Sequence, residues 1–325
     1  MSKLLITGGC GFIGSNLTEY FVSQGYDVRV FDRYNSFNNW GWLEQSKYKN
    51  DIEVILGDIR DYDSVKNAAK GCVNILHLAA LIGIPYSYVS PLAYIKTNIE
   101  GTYNVLECTK SKSLDNIIIT STSEVYGTPK YTPIDELHSV LGQSPYSASK
   151  IAADQIALSY HLSFSMPIKI IRPFNTYGPR QSARAVIPTI FSQILNEPKI
   201  KLGNTHTIRD FTYVSDLCRA YELLLKIKNK KSYGEIFNVG SNKAVSIKDL
   251  VFKIIKITKY NKKISIDSKR IRNKNSEVQN LQCDFNKFNK LTKWKPQITL
   301  KEGLEDFFNW YKDHKSIYKS DKFNL

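Results

Sequence analysis

Short apolar runs alternate with amphipathic stretches along the first half of the chain. The runs at 3–7, 27–31, 52–56, 73–78, 115–120 and 167–172 read as buried strands. The stretches at 12–24, 62–70, 98–111 and 146–163 carry helical periodicity. Alternation of this kind predicts an α/β fold, a doubly wound parallel sheet of the Rossmann type. A helix over 214–228 and a strand at 235–239 extend that sheet. What remains, 176–212 and 241–325, shows helical patterns at 187–196, 246–258 and 301–313 and reads as a smaller mixed α/β region. The expected division is one domain over 1–175 plus 213–240, and a second region over 176–212 and 241–325. The polar stretch 259–276 reads as a mobile loop.

Between the first strand and the first helix stands Gly8-Gly9-Cys10-Gly11-Phe12-Ile13-Gly14. In a strand–turn–helix context, glycines at 8, 11 and 14 allow a tight turn, close approach of a pyrophosphate and close helix–strand packing. Phe12 and Ile13 open the helix whose N-terminus meets the phosphates. The second strand leads to Asp32, eighteen residues past Gly14. An acid there accepts from the ribose 2′-OH and repels a 2′-phosphate, which favours NAD over NADP. Arg33 pulls the other way, since an arginine can hold a 2′-phosphate. The first domain is therefore expected to bind NAD.

A second constellation carries the chemistry. Tyr146 and Lys150 fall one helical turn apart on one face. The ammonium is expected to lower the phenol towards neutrality, so that Tyr146 acts as a base on a hydroxyl. Thr122, leaving the fifth strand, is placed to hydrogen-bond that same hydroxyl. Glu124 offers a second base. One base serves the oxidation of an alcohol; a second points to a carbon acid that is also deprotonated.

Gly8-x-x-Gly11-x-x-Gly14, Asp58-Ile59, His77-Leu78-Ala79-Ala80 and Tyr146-x-x-x-Lys150 resemble the extended short-chain dehydrogenase/reductase family, which acts on nucleotide-activated sugars. The segments 172–179 and 209–216 are further landmarks, so the likeness spans almost the whole chain. It implies that Asp58, Ile59, Leu78, Ala79 and Ala80 contact the cofactor, and that Lys150 holds the nicotinamide ribose. Ser121-Thr122-Ser123-Glu124-Val125-Tyr126-Gly127 resembles the sugar-nucleotide 4,6-dehydratases. Segments 82–88 and 181–188 resemble the branch acting on GDP-linked N-acetylglucosamine in legionaminic acid biosynthesis, with the UDP-linked sugar as the alternative.

The resemblance implies oxidation at sugar C4 with Tyr146 as base, deprotonation at C5 by Glu124, loss of water from C6 and hydride return to C6. Ser123 stands where dTDP-glucose-type dehydratases carry an aspartate; whether Ser123 or Glu124 protonates the leaving hydroxyl stays open. Asn175 resembles the family's diphosphate-contacting asparagine, and Arg184, Arg209 and Arg272 are expected around the nucleotide. Tyr86 is expected to line the sugar pocket. Relatives also imply a homodimer built on helices 98–111 and 146–163, with Ile151, Ile156, Leu158 and Tyr160 supplying its apolar face.

Three rivals stand beside this reading. A UDP-glucuronate decarboxylase also shows a Thr-Ser-Glu segment, but needs an arginine near the active tyrosine, and Ser147-Ala148-Ser149 offers none. A 4-epimerase has no use for Glu124. A non-catalytic NAD sensor has no use for an intact Thr122, Tyr146 and Lys150.

Charge changes the picture little. The net charge is +15, and residues 221–325 hold 24 Lys/Arg against 11 Asp/Glu. The lysines are dispersed and no nucleic-acid-binding motif accompanies them, so the partner expected is a sugar diphosphate and not a nucleic acid. Five scattered cysteines without metal-ligand spacing read as reduced thiols of a cytoplasmic protein. No apolar run approaches the ~20 residues of a membrane span, and no signal peptide is evident.

Overall fold

The computed structural model describes residues 3–319; the ends of the two expected domains, 1–2 and 320–325, lie outside them. Six parallel strands form the body of a large sheet: β1 (Lys3–Thr7), β2 (Asp27–Arg33), β3 (Ile52–Gly57), β4 (Cys72–His77), β5 (Asn116–Thr120) and β6 (Ile168–Pro173). Three strands lie outside it, β7 (Asn175–Tyr177), β8 (Ile200–Leu202) and β9 (Ile208–Tyr213), before β10 (Ile236–Val239) returns to pair with β6. The order is β10-β6-β5-β4-β1-β2-β3. The order in which strands are added therefore reverses between β1 and β4, and a crevice opens beyond their carboxyl ends.

The strands read as continuous apolar runs because both faces are covered. Leu4, Ile6, Val28 and Ile118 pack with Leu17 and Phe21 of α1 (Phe12–Ser23) on one face. Leu5, Ile75, Ile117 and Ile119 pack on the other with Val65 of α2 (Tyr62–Ala68). Short helices α3 (Ile84–Val89) and α4 (Pro91–Tyr94) follow β4.

The helix expected over 98–111 is longer and irregular. It runs from α4 through a π-turn, Ile95–Glu100, into α5 (Gly101–Thr109). A π-turn shifts the side-chain phase, which a 3.6-residue template cannot register. Residues α6 (Pro145–Phe164) follow β5, and a capping box of Ser144 with Ser147 plus Pro145 at the first position fixes where that helix starts.

The smaller region centres on β9, flanked by β11 (Ala244–Ser246) and β13 (Asn280–Leu281), with β7 also paired to β9. Its core joins α7 (Val186–Asn196), α9 (Ile247–Thr258) and α11 (Leu300–His314) through Phe191, Leu250 and Phe307. Between them, α8 (Val214–Lys226) covers the large sheet through Leu217 and Leu224, and α10 (Asn286–Thr292) adds Phe288. The stretch 259–276 is not a bare loop. It contains β12 (Ile264–Ile266), paired with β8, and a 3-10 turn at Ser268–Arg270. Three residues of alternating Ile-Ser-Ile are too short to stand out among the surrounding lysines.

Among the described residues no helix is long and apolar enough to cross a membrane, and no group of three metal-ligating side chains gathers. All five cysteines are buried and unbridged.

Candidate active site

The glycine turn is built against backbone. Gly8 has φ +73°, and a Cβ there would lie 2.9 Å from the Ala79 backbone. A Cβ on Gly14 would lie 2.1 Å from the Gly8 carbonyl oxygen. Thr7 Oγ1 accepts from the amides of Leu78 and Ala79, each at 3.2 Å, and donates to His77 Nδ1 at 2.8 Å. The Thr102 hydroxyl donates to Asn98 O, so His77 Nε2 must donate to Thr102, which assigns the neutral tautomer. Burial drives this imidazole down to about 3, so His77 is a structural link and not a proton carrier.

Helix α1 has Gly11 at its N-cap and no side-chain cap, leaving first-turn amides, those of Phe12 and Ile13 included, for an anion. Asp32 Oδ2 accepts from Cys10 N at 2.6 Å, tying the carboxylate to the glycine turn. Beside it opens a cleft of about 490 Å³ lined by Arg33, Tyr34, Leu56, Gly57, Asp58, Arg60 and Ser64. Asp58 is ion-paired with Arg60, which holds its carboxyl below the usual range. Ile59 packs against Gly101 and lends its carbonyl to Asn104 at 3.0 Å. Leu78 and Ala79 pack on opposite faces of the sheet, and half-buried Ala80 follows them. The uncapped start of α1, the glycines that leave no room for a Cβ and the carboxylate of Asp32 beside them fit a dinucleotide.

At the end of β5, Thr122 caps a 3-10 turn over Ser123–Tyr126, its Oγ1 accepting from Glu124 N at 3.2 Å. Helix α6 brings Tyr146 and Lys150 to this turn, 7% and 3% exposed. The Thr122 hydroxyl and the charge of Glu124 both act on the Tyr146 phenol. Ser123 is buried between them in the chain.

The expected lowering of the phenol is not what the chain supplies. Burial pushes Tyr146 up, the Thr122 hydrogen bond pulls it down, and the charges of Glu124, Tyr94 and Asp154 raise it. Lys150 Nζ donates to Thr120 O at 2.6 Å, and burial disfavours its own charge while Asp154 supports it. Tyr86 joins the same wall: its ring lies 6.2 Å from Tyr94, which packs edge-on against Tyr146 at 6.1 Å.

A second wall is cationic. Arg209 of β9 is buried, its Nη2 3.4 Å from Glu277 Oε1, and Arg272 Nη1 reaches the same oxygen at 3.3 Å. Burial disfavours the Arg209 charge, and Glu124 is the first anion that supports it. Asn175 starts β7, in register with Phe211, and its buried Oδ1 has no hydrogen-bond partner. Arg184 stands elsewhere: its Nη1 is 3.1 Å from where a Gly83 Cβ would be, and its charge acts on Tyr94. A chain of hydrogen bonds links α3, the segment before α6 and the loop after Arg272. The Tyr88 hydroxyl donates to Ser276 Oγ at 2.6 Å, Ser276 donates to Gln143 O, and Gln143 Nε2 donates to Asn275 O.

Residues 5–307 match the model of the GDP-mannose 4,6 dehydratase family. The chain belongs to that family. It is 33% identical to a putative UDP-glucose 4-epimerase of Methanocaldococcus jannaschii, covering 96% of this chain and 99% of that one. It is 30% identical to a UDP-N-acetyl-alpha-D-glucosaminuronate decarboxylase of Bacillus cytotoxicus, over 96% and 98%. The dTDP-glucose 4,6-dehydratase of Bacillus anthracis, solved with NAD, superposes with a TM-score of 0.87 at 26% identity, covering 99% of this chain and all of that one. Dehydratases, epimerases and decarboxylases thus share the frame.

In this family member, three residues of the site escape motif reading. Buried Asn98 ties Leu81 and Ser149 of α6 together; Glu277 joins the two arginines; Asp154 lies beneath Lys150. The available signal was a polar residue at a core-facing helical position, which applies to Asn98 and Asp154. Glu277 sits in a loop and leaves no periodic trace.

Proposed function

We propose that the protein is an NAD-dependent sugar-nucleotide 4,6-dehydratase acting on N-acetylglucosamine linked to GDP, or to UDP. The observation that carries this reading is Glu124 on the short turn that Thr122 caps, its charge acting on the phenol of Tyr146. Two bases on one pocket support two deprotonations.

NAD, held by the glycine turn and Asp32, would supply the hydride acceptor for sugar C4 and the hydride donor for C6. Thr122 hydrogen-bonds O4 while Tyr146, in its phenolate form, takes the O4 proton. The C4 ketone acidifies the C5 hydrogen, and Glu124 removes it. The C6 hydroxyl leaves as water with a proton from Glu124 or Ser123, and C5 is reprotonated after hydride return. Asn175, Arg209 and Arg272 hold the diphosphate, in the proposed sugar-nucleotide region over 176–212 and 241–325, and Tyr86 lines the sugar side. The buried, unbridged thiols accord with a cytoplasmic protein.

Decarboxylation of a uronate is the second reading, and Arg184 near Tyr94 favours it, since a cation on that wall suits a carboxylate. Proton NMR in D₂O separates them. Purified protein is incubated with GDP-N-acetylglucosamine, UDP-N-acetylglucosamine, UDP-glucuronate or dTDP-glucose. A new C6 methyl signal with deuterium at C5 is expected from the first or second. Loss of carbon from the uronate, or no change with any of the four, overturns the proposal.

A further inference from the structure

Helix α6 carries Tyr146, Lys150 and Asp154 at successive turns of one face, and Asp154 is fully buried. Its Oδ2 accepts from Ser121 Oγ at 2.8 Å and from Arg172 Nε and Nη2 at 3.1 and 2.9 Å. Its Oδ1 is buried with no hydrogen-bond partner. Ser121 stands between Thr120, whose carbonyl holds Lys150, and Thr122, which meets Tyr146. One carboxylate thus binds the strand end that carries the active hydroxyl and lies beside the active ammonium.

We propose that Asp154 is a positioning residue for hydride abstraction, a buried carboxylate one helical turn from Lys150 that holds Ser121 so that Thr122 and Thr120 stay in place. The groups around Lys150 bear this out electrostatically. Tyr146 and Asp154 come from its own helix, His77 from β4 and Arg172 from β6, with Glu124 and Tyr94 beyond Tyr146. Asp154 is the carboxylate that acts on Lys150, and without it two cations, Lys150 and Arg172, share one dry pocket. A buried cation stripped of its anion gives up its proton at lower pH. The simpler role, an ion pair that only packs β6 under the Tyr126 ring 4.9 Å away, makes a different forecast.

The kinetic test rests on the dehydratase reading. Asp154→Asn is compared with wild type for pH-dependence of turnover, using whichever sugar nucleotide the wild type converts. The alkaline limb is expected to move down by about one pH unit or more, a tenfold loss of proton affinity. The kcat should fall, the KM should hold, and Asp154→Glu should restore the limb. Equal loss of rate at every pH overturns the proposal.

Urea unfolding supplies the arm that needs no substrate, and decides the matter should the wild type convert none. A lowered Lys150 pKa makes the folded variant release a proton that the unfolded chain keeps to about 10.5, so its stability rises with pH. The deficit against wild type should therefore shrink between pH 7 and pH 10. A deficit independent of pH overturns the proposal. Should Asp154→Asn not fold, the double variant Asp154→Asn/Arg172→Gln leaves no unpaired guanidinium and carries both measurements.

Discussion

Glu124 and Tyr146 meet at one pocket although 22 positions separate them in the chain. The separate tasks proposed for them make them separable by mutation. Glu124→Gln keeps the shape and hydrogen-bonding capacity but loses the base. It should retain C4 oxidation, seen as slow growth of absorbance at 340 nm, while formation of the C6 methyl group falls about 10²–10⁴-fold. Full product from this variant would exclude Glu124 as the C5 base. The residues of the proposed catalytic set were legible because each has a motif neighbour: Thr122 and Glu124 in one segment, Tyr146 and Lys150 in another. The direction of the Tyr146 pKa was not legible. It depends on how much water the fold removes around the phenol, and no local spacing encodes that.

At the scale of elements, strand–turn–helix units were plain from periodicity, because a strand covered on both faces is a continuous apolar run. The glycine turn illustrates how tightly such a unit is set. In Gly14→Ala the new Cβ would sit 2.1 Å from the Gly8 carbonyl, a backbone atom that has nowhere to move. The expected cost is about 1–3 kcal/mol, with NADH affinity reduced at least about tenfold, measured by thermal melting and fluorescence titration. A variant with unchanged melting and binding would show that α1 can slide away from the turn. The π-turn at Ile95–Glu100 and the short strands β7, β8, β12 and β13 were not read. Two or three residues carry too few positions to establish a period, and a π-turn breaks the one it interrupts.

At the scale of the whole molecule, the expected dimer face needs redrawing. Ile156, Leu158 and Tyr160 pack partly buried against the core under their own sheet, and Ile151 against a neighbouring cluster. The apolar side chains left exposed on the paired helices are Leu92, Ile95, Tyr103, Leu162 and Phe164. We propose that these form the homodimer contact. Tyr103→Glu should convert the dimer to a monomer in sedimentation velocity, since an unpaired charge in an apolar contact is costly. A wild type that sediments as a monomer refutes the contact itself.

By itself the sequence determined the sheet class, the glycine cradle, Asp32 at the end of β2, and which side chains can act as bases. All of these follow from local spacing and from chemistry that belongs to a residue type. Only the tertiary structure decided that Arg209 and Arg272 share Glu277, that Arg184 goes instead to the tyrosine wall, and that Asp154 lies buried beneath Lys150. The physical reason is range. Those contacts join residues far apart in the chain or depend on burial, and burial is a property of the packed whole.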